Sequence, residues 1–315
     1  MLAAWVRRRE VIVTLICALL LPANPAPPSL VCHNSSEVFY SVSGASSVAV
    51  TSPSDARSSG ANAPIGMGAR LVGMVSPQKN LLTCLVQTKS DDQFRLVRLK
   101  FVNKKWQSTA TTIALSIRSP GLRYNRTYQL LRLGDTLLLR IRGQETISPE
   151  STLVSTWILA ANGSTAKRVR EAPEVAGRFA QIGSKVLAVA SRYLKGQSRM
   201  AEPRFTFLAE ITMDRARAAL SCHPVRRLSY ESLERLRPYT LLDSNQSFHL
   251  LSLAGPGKAT IYSLDGKGHP RKQTTWRLPP GHYEAVYSDA LPFALVGRKL
   301  FLADGFQLKP QAPHP

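Results

Sequence analysis

Acidic residues are the first shortage. Only 20 Asp and Glu accompany 41 Lys and Arg over 315 residues, for a formal charge of +21. So basic a chain is no acidic solvating tail, and a polyanion is the first partner to test. Cysteine is scarce too, with four in the chain, which excludes a small disulfide-stapled scaffold. The six histidines are dispersed without metal-ligand spacing and no Cys-x-x-Cys pair occurs, so no metal site is expected. Neither Gly-x-Ser-x-Gly nor His-Glu-x-x-His is present. Gly255-Pro256-Gly257-Lys258-Ala259-Thr260 lacks the earlier glycine of a phosphate loop and leads into a strand, so no nucleotide or other cofactor is implied. Helical periodicity is nearly absent and aromatics make up 7% of the chain. Without a recognition helix or an aromatic stacking set, nucleic acid is not an expected partner. Long apolar runs are missing as well, except for one near the N-terminus.

That exception carries a localisation signal. Arg7, Arg8 and Arg9 form a basic segment, Val11 to Leu21 an apolar one, and prolines from Pro22 to Pro28 end it. The apolar run is about half of the roughly 20 residues a spanning helix needs. Residues 1–26 therefore read as a secretory signal, and no transmembrane segment is expected after its removal. Four sequons agree with export, at Asn34, Asn125, Asn162 and Asn245. The localisation expected is secreted or cell-surface. Past the signal remain Cys32, Cys84 and Cys222, an odd set that implies one bridge and a free thiol, or an intermolecular link. An exported protein of this charge meets sialylated, sulfated or phospholipid surfaces before DNA.

The rest of the chain is long enough for one large domain or two small ones. Short β-rich runs bounded by Gly, Asn, Asp and Pro recur along it. Five openings share one form, an apolar strand, a turn and a strongly apolar strand. They run from Ala69 to Leu82, Tyr128 to Leu139, Phe179 to Leu187, Tyr239 to Leu250 and Phe293 to Phe301. Most are followed by two further strands, such as Phe94 to Phe101 with Lys105 to Thr109. Four-stranded units recurring roughly every 45 to 60 residues predict an all-β chain folded as a β-propeller. Five blade openings are legible where six blades are expected, and a tandem β-sandwich is the alternative. The domain reading is a Ser/Ala/Pro-rich lead-in over 27–64 that lends a closing strand, a propeller over 65–310 and a tail over 311–315.

Several of these strand phrases carry chemistry-bearing residues in a particular order. Ala69-Arg70-Leu71-Val72 opens the first legible unit, and Ser90-Asp91-Asp92 lies in the loop after its second strand. Val286-Tyr287-Ser288 and Arg298-Lys299-Leu300-Phe301-Leu302-Ala303-Asp304 come late. Together they resemble the sialidase/trans-sialidase superfamily, above all its trypanosomatid surface members, over about residues 65–305. The resemblance implies that Arg70 holds a sialic acid carboxylate, that Asp91 or Asp92 is the general acid and that Tyr287 is a nucleophile activated by Asp304. Arg suits a carboxylate because its planar fork makes two parallel charged hydrogen bonds. A Tyr–acid pair lets a neutral phenol attack an anionic centre, and a nearby Asp protonates the leaving oxygen.

The set departs from the family in definite places. Val72 stands where the family has Pro, and Asp304 where it has Glu. Lys258 takes the place of the third carboxylate-binding Arg and becomes the expected substrate contact, while no second Arg is found. Asn125-Arg126 replaces an acidic residue, and the Asp-box survives only as Ser263-x-Asp265, Gly268 and Trp276. The functional expectation is thus a sialidase-like propeller with an incomplete catalytic set, leaning away from an enzyme. It would serve as an adhesion module for sialylated or other anionic glycoconjugates and host cell-surface proteins. The alternatives are an active exo-α-sialidase or trans-sialidase, and an unrelated secreted all-β interaction protein.

Overall fold

The computed structural model describes residues 31–33, 38–41, 47–51, 62–64, 70–88, 93–103, 105–108, 114–116, 124–144, 152–160, 165–172, 174–175, 177–193, 202–214, 216–244, 247–253, 258–277, 293–296, 299–304 and 307–310. Among these residues the strands form six antiparallel sheets, each built from one continuous stretch of chain. The first sheet holds β1 (Val31–His33), β2 (Val38–Ser41), β3 (Ser47–Thr51) and β4 (Asn62–Pro64), all within the segment expected as a lead-in. The second holds β5 (Arg70–Gln78), β6 (Leu81–Gln87) and β7 (Gln93–Val102), whose outer edge is shared by β8 (Lys105–Ser108) and β9 (Ala114–Ser116). The third comprises β10 (Tyr124–Leu133), β11 (Thr136–Gln144), β12 (Thr152–Leu159) and β13 (Ala166–Val169). The fourth comprises β14 (Ala180–Ile182), β15 (Lys185–Arg192), β16 (Phe205–Asp214) and β17 (Ala219–Leu228). A single-turn helix, α1 (Tyr230–Glu234), leads to the fifth: β18 (Tyr239–Leu242), β19 (His249–Ser252), β20 (Lys258–Leu264) and β21 (Pro270–Arg277). The sixth contains β22 (Phe293–Val296), β23 (Lys299–Asp304) and β24 (Gln307–Pro310).

The first strands of the sheets close a circle. β1 touches β5, β5 touches β10, β10 touches β14, β14 touches β18, β18 touches β22, and β22 returns to β1. Sheets ringed in this way are the blades of a propeller, whereas sandwiches stack their sheets face to face in pairs. All five legible openings are the first hairpin of a blade: β5–β6, β10–β11, β14–β15, β18–β19 and β22–β23.

Side-chain alternation explains why the second strands are apolar throughout. Along β11, Leu137, Leu139 and Ile141 join Val72, Leu85, Phe94 and Leu96 of the second blade in one cluster. Leu138 points the other way, to Phe179, Val186 and Ile211 of the fourth. A strand buried on both faces needs apolar residues at every position, not at every second one. Fully burying one such leucine contributes roughly 1.5–3 kcal/mol. Leu187, Leu208, Leu228, Leu241 and Leu250 seal the fourth blade against the fifth, and Trp276, Leu242, Leu295 and Leu300 the fifth against the sixth. Near the centre the second and third blades approach so closely that a β-carbon on Gly73 would stand 2.9 Å from that of Leu130.

Polar groups also join the blades. The Gln129 side-chain amide donates to the Phe179 carbonyl at 2.5 Å and accepts from the Phe179 amide at 3.2 Å. The Gln87 amide donates to the Tyr128 hydroxyl at 3.3 Å. Arg140, 1% exposed, donates to Glu171 and to the Gly177 carbonyl, with its Cζ 3.7 Å from the centroid of the Phe179 ring. Each bond satisfies a group that burial would otherwise leave unpaired, at a cost of about 1–3 kcal/mol.

Cys84 is buried in β6, Cys222 is half-buried on β17, and both are free thiols. The intramolecular bridge anticipated from the odd set involves neither of them.

Candidate functional site

Strand order decides where the expected residues fall. Arg70 is the first residue of β5, exposed and paired in register with Gln87. It therefore stands at the starting end of an innermost strand. Val72, in the place of the family's proline, points into the core between the second and third blades. A proline there would bring no amide and no β-branched side chain to an interior strand.

Lys258 is the first residue of β20, exposed and opposite Arg277. That strand is the third of the fifth blade, across the ring from the blade that carries Arg70. Asp304 ends β23 in register with Gln307, and its side chain lies outside the described residues. Asp91 and Asp92, in the connection from β6 to β7, and Tyr287, between β21 and β22, lie outside the described residues altogether. So do Asn34, Asn162 and Asn245. Asn125 falls where the β10–β11 register shifts between Tyr124 and Thr127, with its side chain outside the described set. Among the described residues, Arg70 and Lys258 are not brought together.

Ser263, Asp265, Gly268 and Trp276 mark the outer hairpin of the fifth blade. Asp265 accepts from the backbone amides of Lys267 and His269, both at 2.9 Å, and from Arg271 Nε at 3.1 Å. The His269 amide does most to hold this carboxyl below its ordinary value, followed by the Lys267 amide and Arg271. Trp276 is buried among Leu251, Ile261 and Leu300. The residues of the degenerate box thus fold and anchor a turn.

Two features were not anticipated from the sequence. One is a polar seam between the fourth and fifth blades: Arg178 donates to the Leu241 carbonyl at 2.9 Å and pairs with Asp243, which also accepts from the Gln181 amide at 2.7 Å. The other is a cavity of about 260 Å³ lined by Val75, Ser76, Arg132, Asp135, Gln181 and Ser184. It opens at the far ends of β5 and β10, away from the end that carries Arg70. Its polar side chains serve their own turns, since Arg132 Nε donates to Gly134 and the Gln181 amide to Gly183 and Lys185. No acid–base pair converges there.

Among the described residues, no group of three His, Cys, Asp or Glu side chains could hold a metal, and no helix is long and apolar enough to cross a membrane.

No known protein family matches the chain, and no curated protein does. Solved structures give fold-level likenesses. The GH43_1 enzyme from Xanthomonas citri complexed with xylose aligns at 10% identity and TM-score 0.42, over 80% of this chain and 89% of that one. An oligogalacturonate lyase in complex with manganese aligns at 11% identity and TM-score 0.45, over 88% of this chain and 72% of that one. A GH32 beta-fructofuranosidase from Bombyx mori aligns at 11% identity and TM-score 0.36, over 88% of this chain and 62% of that one. None of the three is a sialidase. At these scores the likenesses transfer no chemistry, and the propeller assignment stands on the closed ring of sheets.

Proposed function

We propose that this chain is an exported propeller that binds acidic glycoconjugates on cell surfaces without cleaving them. The observation that supports this reading is the separation of Arg70 from Lys258. A sialidase-like site gathers its cations around one carboxylate at the centre of the ring. Arg70 occupies a first strand, whereas Lys258 begins the third strand of the blade opposite. Strands lie about 4.8 Å apart in a sheet, which puts Lys258 roughly 10 Å outside the innermost strand of its blade. That radius removes it from a shared carboxylate. The signal-like N-terminus, the sequons and the charge of +21 are in keeping with export and with attraction to sialylated or sulfated surfaces.

The test is hydrolysis of a fluorogenic sialoside by the full chain, beside Arg70→Ala and Tyr287→Phe, with glycan binding measured at two salt concentrations. The expected result is no turnover, with binding to acidic glycans that weakens as salt rises. Turnover abolished by either substitution would make the protein a sialidase and overturn the reading.

A further inference from the structure

A cluster of arginine and phenylalanine on the fourth blade includes none of the residues expected to form the site. Phe205, the first residue of β16, is 38% exposed. Arg204 and Arg227 hold their Cζ atoms 5.1 and 5.2 Å from its ring centroid. Arg192 pairs in register with Phe205, and Arg227 with Phe207. Since residues two apart point the same way on a strand, Arg192, Arg227 and both rings share one face. Phe207 is buried beneath, with Arg192 Cζ 5.3 Å from its centroid.

Neutralisation of this cluster is slight. Glu174 reaches Arg192 only at 3.9 Å, and the Arg192 side chain remains 51% exposed. Among the described residues, neither Arg204 nor Arg227 forms an ion pair. On the opposite face of β17, Arg226 directs a guanidinium N–H to the Asp265 carbonyl at 3.5 Å, so a neighbouring arginine does find a partner in the fold. An exposed cation–π contact is worth only about 0.5–1 kcal/mol, and gathering like charges opposes it. Discouraging edge pairing explains arginines on β17 but not an open aromatic ring between them.

We infer that this face of the fourth blade is the contact surface for a carboxylated or sulfated sugar, an inference that rests on the proposed glycan-binding function. Each guanidinium fork can donate a pair of hydrogen bonds to a carboxylate or a sulfate. The Phe205 ring supplies an apolar floor for the C–H side of a pyranose between the two cations.

The test measures Kd of the full-length protein for a heparin-derived oligosaccharide, a polysialic acid oligosaccharide, a neutral oligosaccharide and a single-stranded oligonucleotide of similar size. The variants are Phe205→Ala, Arg204→Gln and Arg227→Gln, with Arg168→Gln on β13 as a charge-matched control and thermal unfolding to establish that each is folded. Phe205→Ala should weaken binding roughly tenfold, as a central aromatic contact does. The arginine variants should weaken it several-fold and flatten its salt dependence, and the control should leave it unchanged. The two acidic glycans separate sulfate from carboxylate as the group recognised. Acidic-glycan binding that survives all three variants and falls with Arg70→Ala would overturn this inference and leave the proposed function standing. Equal affinity for the oligonucleotide, indifferent to Phe205→Ala, would reduce the cluster to a nonspecific polyanion surface and overturn it also. Absence of acidic-glycan binding by the unaltered protein would overturn both.

Discussion

Gly268 of the fifth blade lies directly against Arg227 of the fourth. A β-carbon on Gly268, whose φ is +81°, would stand 2.0 Å from the Arg227 carbonyl oxygen. The Ser229 amide donates to the Gly268 carbonyl at 3.4 Å, so an outer hairpin of one blade is latched to the outer strand of its neighbour. Tyr262 and Leu264, on the strand leading into this hairpin, pack with Leu228 and Leu233.

Gly268→Ala should therefore cost stability on two counts, a left-handed backbone and a collision with a main-chain atom that no rotamer change relieves. The expected loss is about 2–4 kcal/mol by urea unfolding. Gly134→Ala is the matching control, since its φ is +59° with nothing within 4 Å of the added carbon. It should cost only about 1 kcal/mol. Equal losses from the two would mean that the latch contributes nothing.

The Arg140–Glu171 pair gives an asymmetric prediction. Glu171→Ala leaves a guanidinium that is 1% exposed without its carboxylate, and should destabilise by about 3 kcal/mol. Arg140→Met removes the buried charge while keeping contact with Phe179, and should cost less. Paired denaturation curves decide it, and a larger loss from Arg140→Met would contradict the ranking.

Asp265 ties the outer hairpin to pH. Its folded carboxyl is held below the ordinary value, chiefly by the His269 amide. The hairpin's stabilisation is therefore complete above the ordinary carboxylate pKa, and it is lost as pH falls through the lowered folded value. Hydrogen exchange at the Lys267 and His269 amides should rise, relative to unstructured amides, over that acid window. Asp265→Asn should show the raised exchange already at neutral pH. An acid profile shared by wild type and Asp265→Asn would assign the effect elsewhere.

The thiols should differ in reach. Burial raises the Cys84 thiol far above its ordinary value. Cys222 is pushed up to about 11, by burial first and then by Glu174, against an opposing effect of Arg192. Because the thiolate is the nucleophile, iodoacetamide at neutral pH should leave Cys84 unmodified and label Cys222 slowly, with both reacting in denaturant. Peptide mapping reads both sites, and rapid native labelling of Cys84 would contradict its burial in β6.

The hairpins were legible because their second strands are apolar at successive positions, as in Leu137-Leu138-Leu139, and glycine or asparagine stands at the turns. The first sheet was not. Val31–His33 and Val38–Ser41 are short, and no run between them and Thr51 repeats the apolar strand, turn and apolar strand of the other blades. Their place in the ring comes from contact with β5 and β22, which local pattern does not encode. The site was legible only as an order of residue types along the chain. That order carried no radius, so Lys258 read as a neighbour of Arg70 although their strands lie at different distances from the centre. The Arg192, Phe205 and Arg227 cluster left no motif, because its members meet through cross-strand register.

Because each sheet is wound from an uninterrupted stretch of chain, most of its pairing joins near neighbours in sequence, which favours rapid formation blade by blade. The meeting of β22 with β1 is of another kind, since it brings together segments from opposite ends of the chain. Loop-closure entropy makes such an encounter the slow one. Before that closure an arc of finished blades would carry two unsealed apolar flanks, the surface most exposed to capture by chaperones or by another chain.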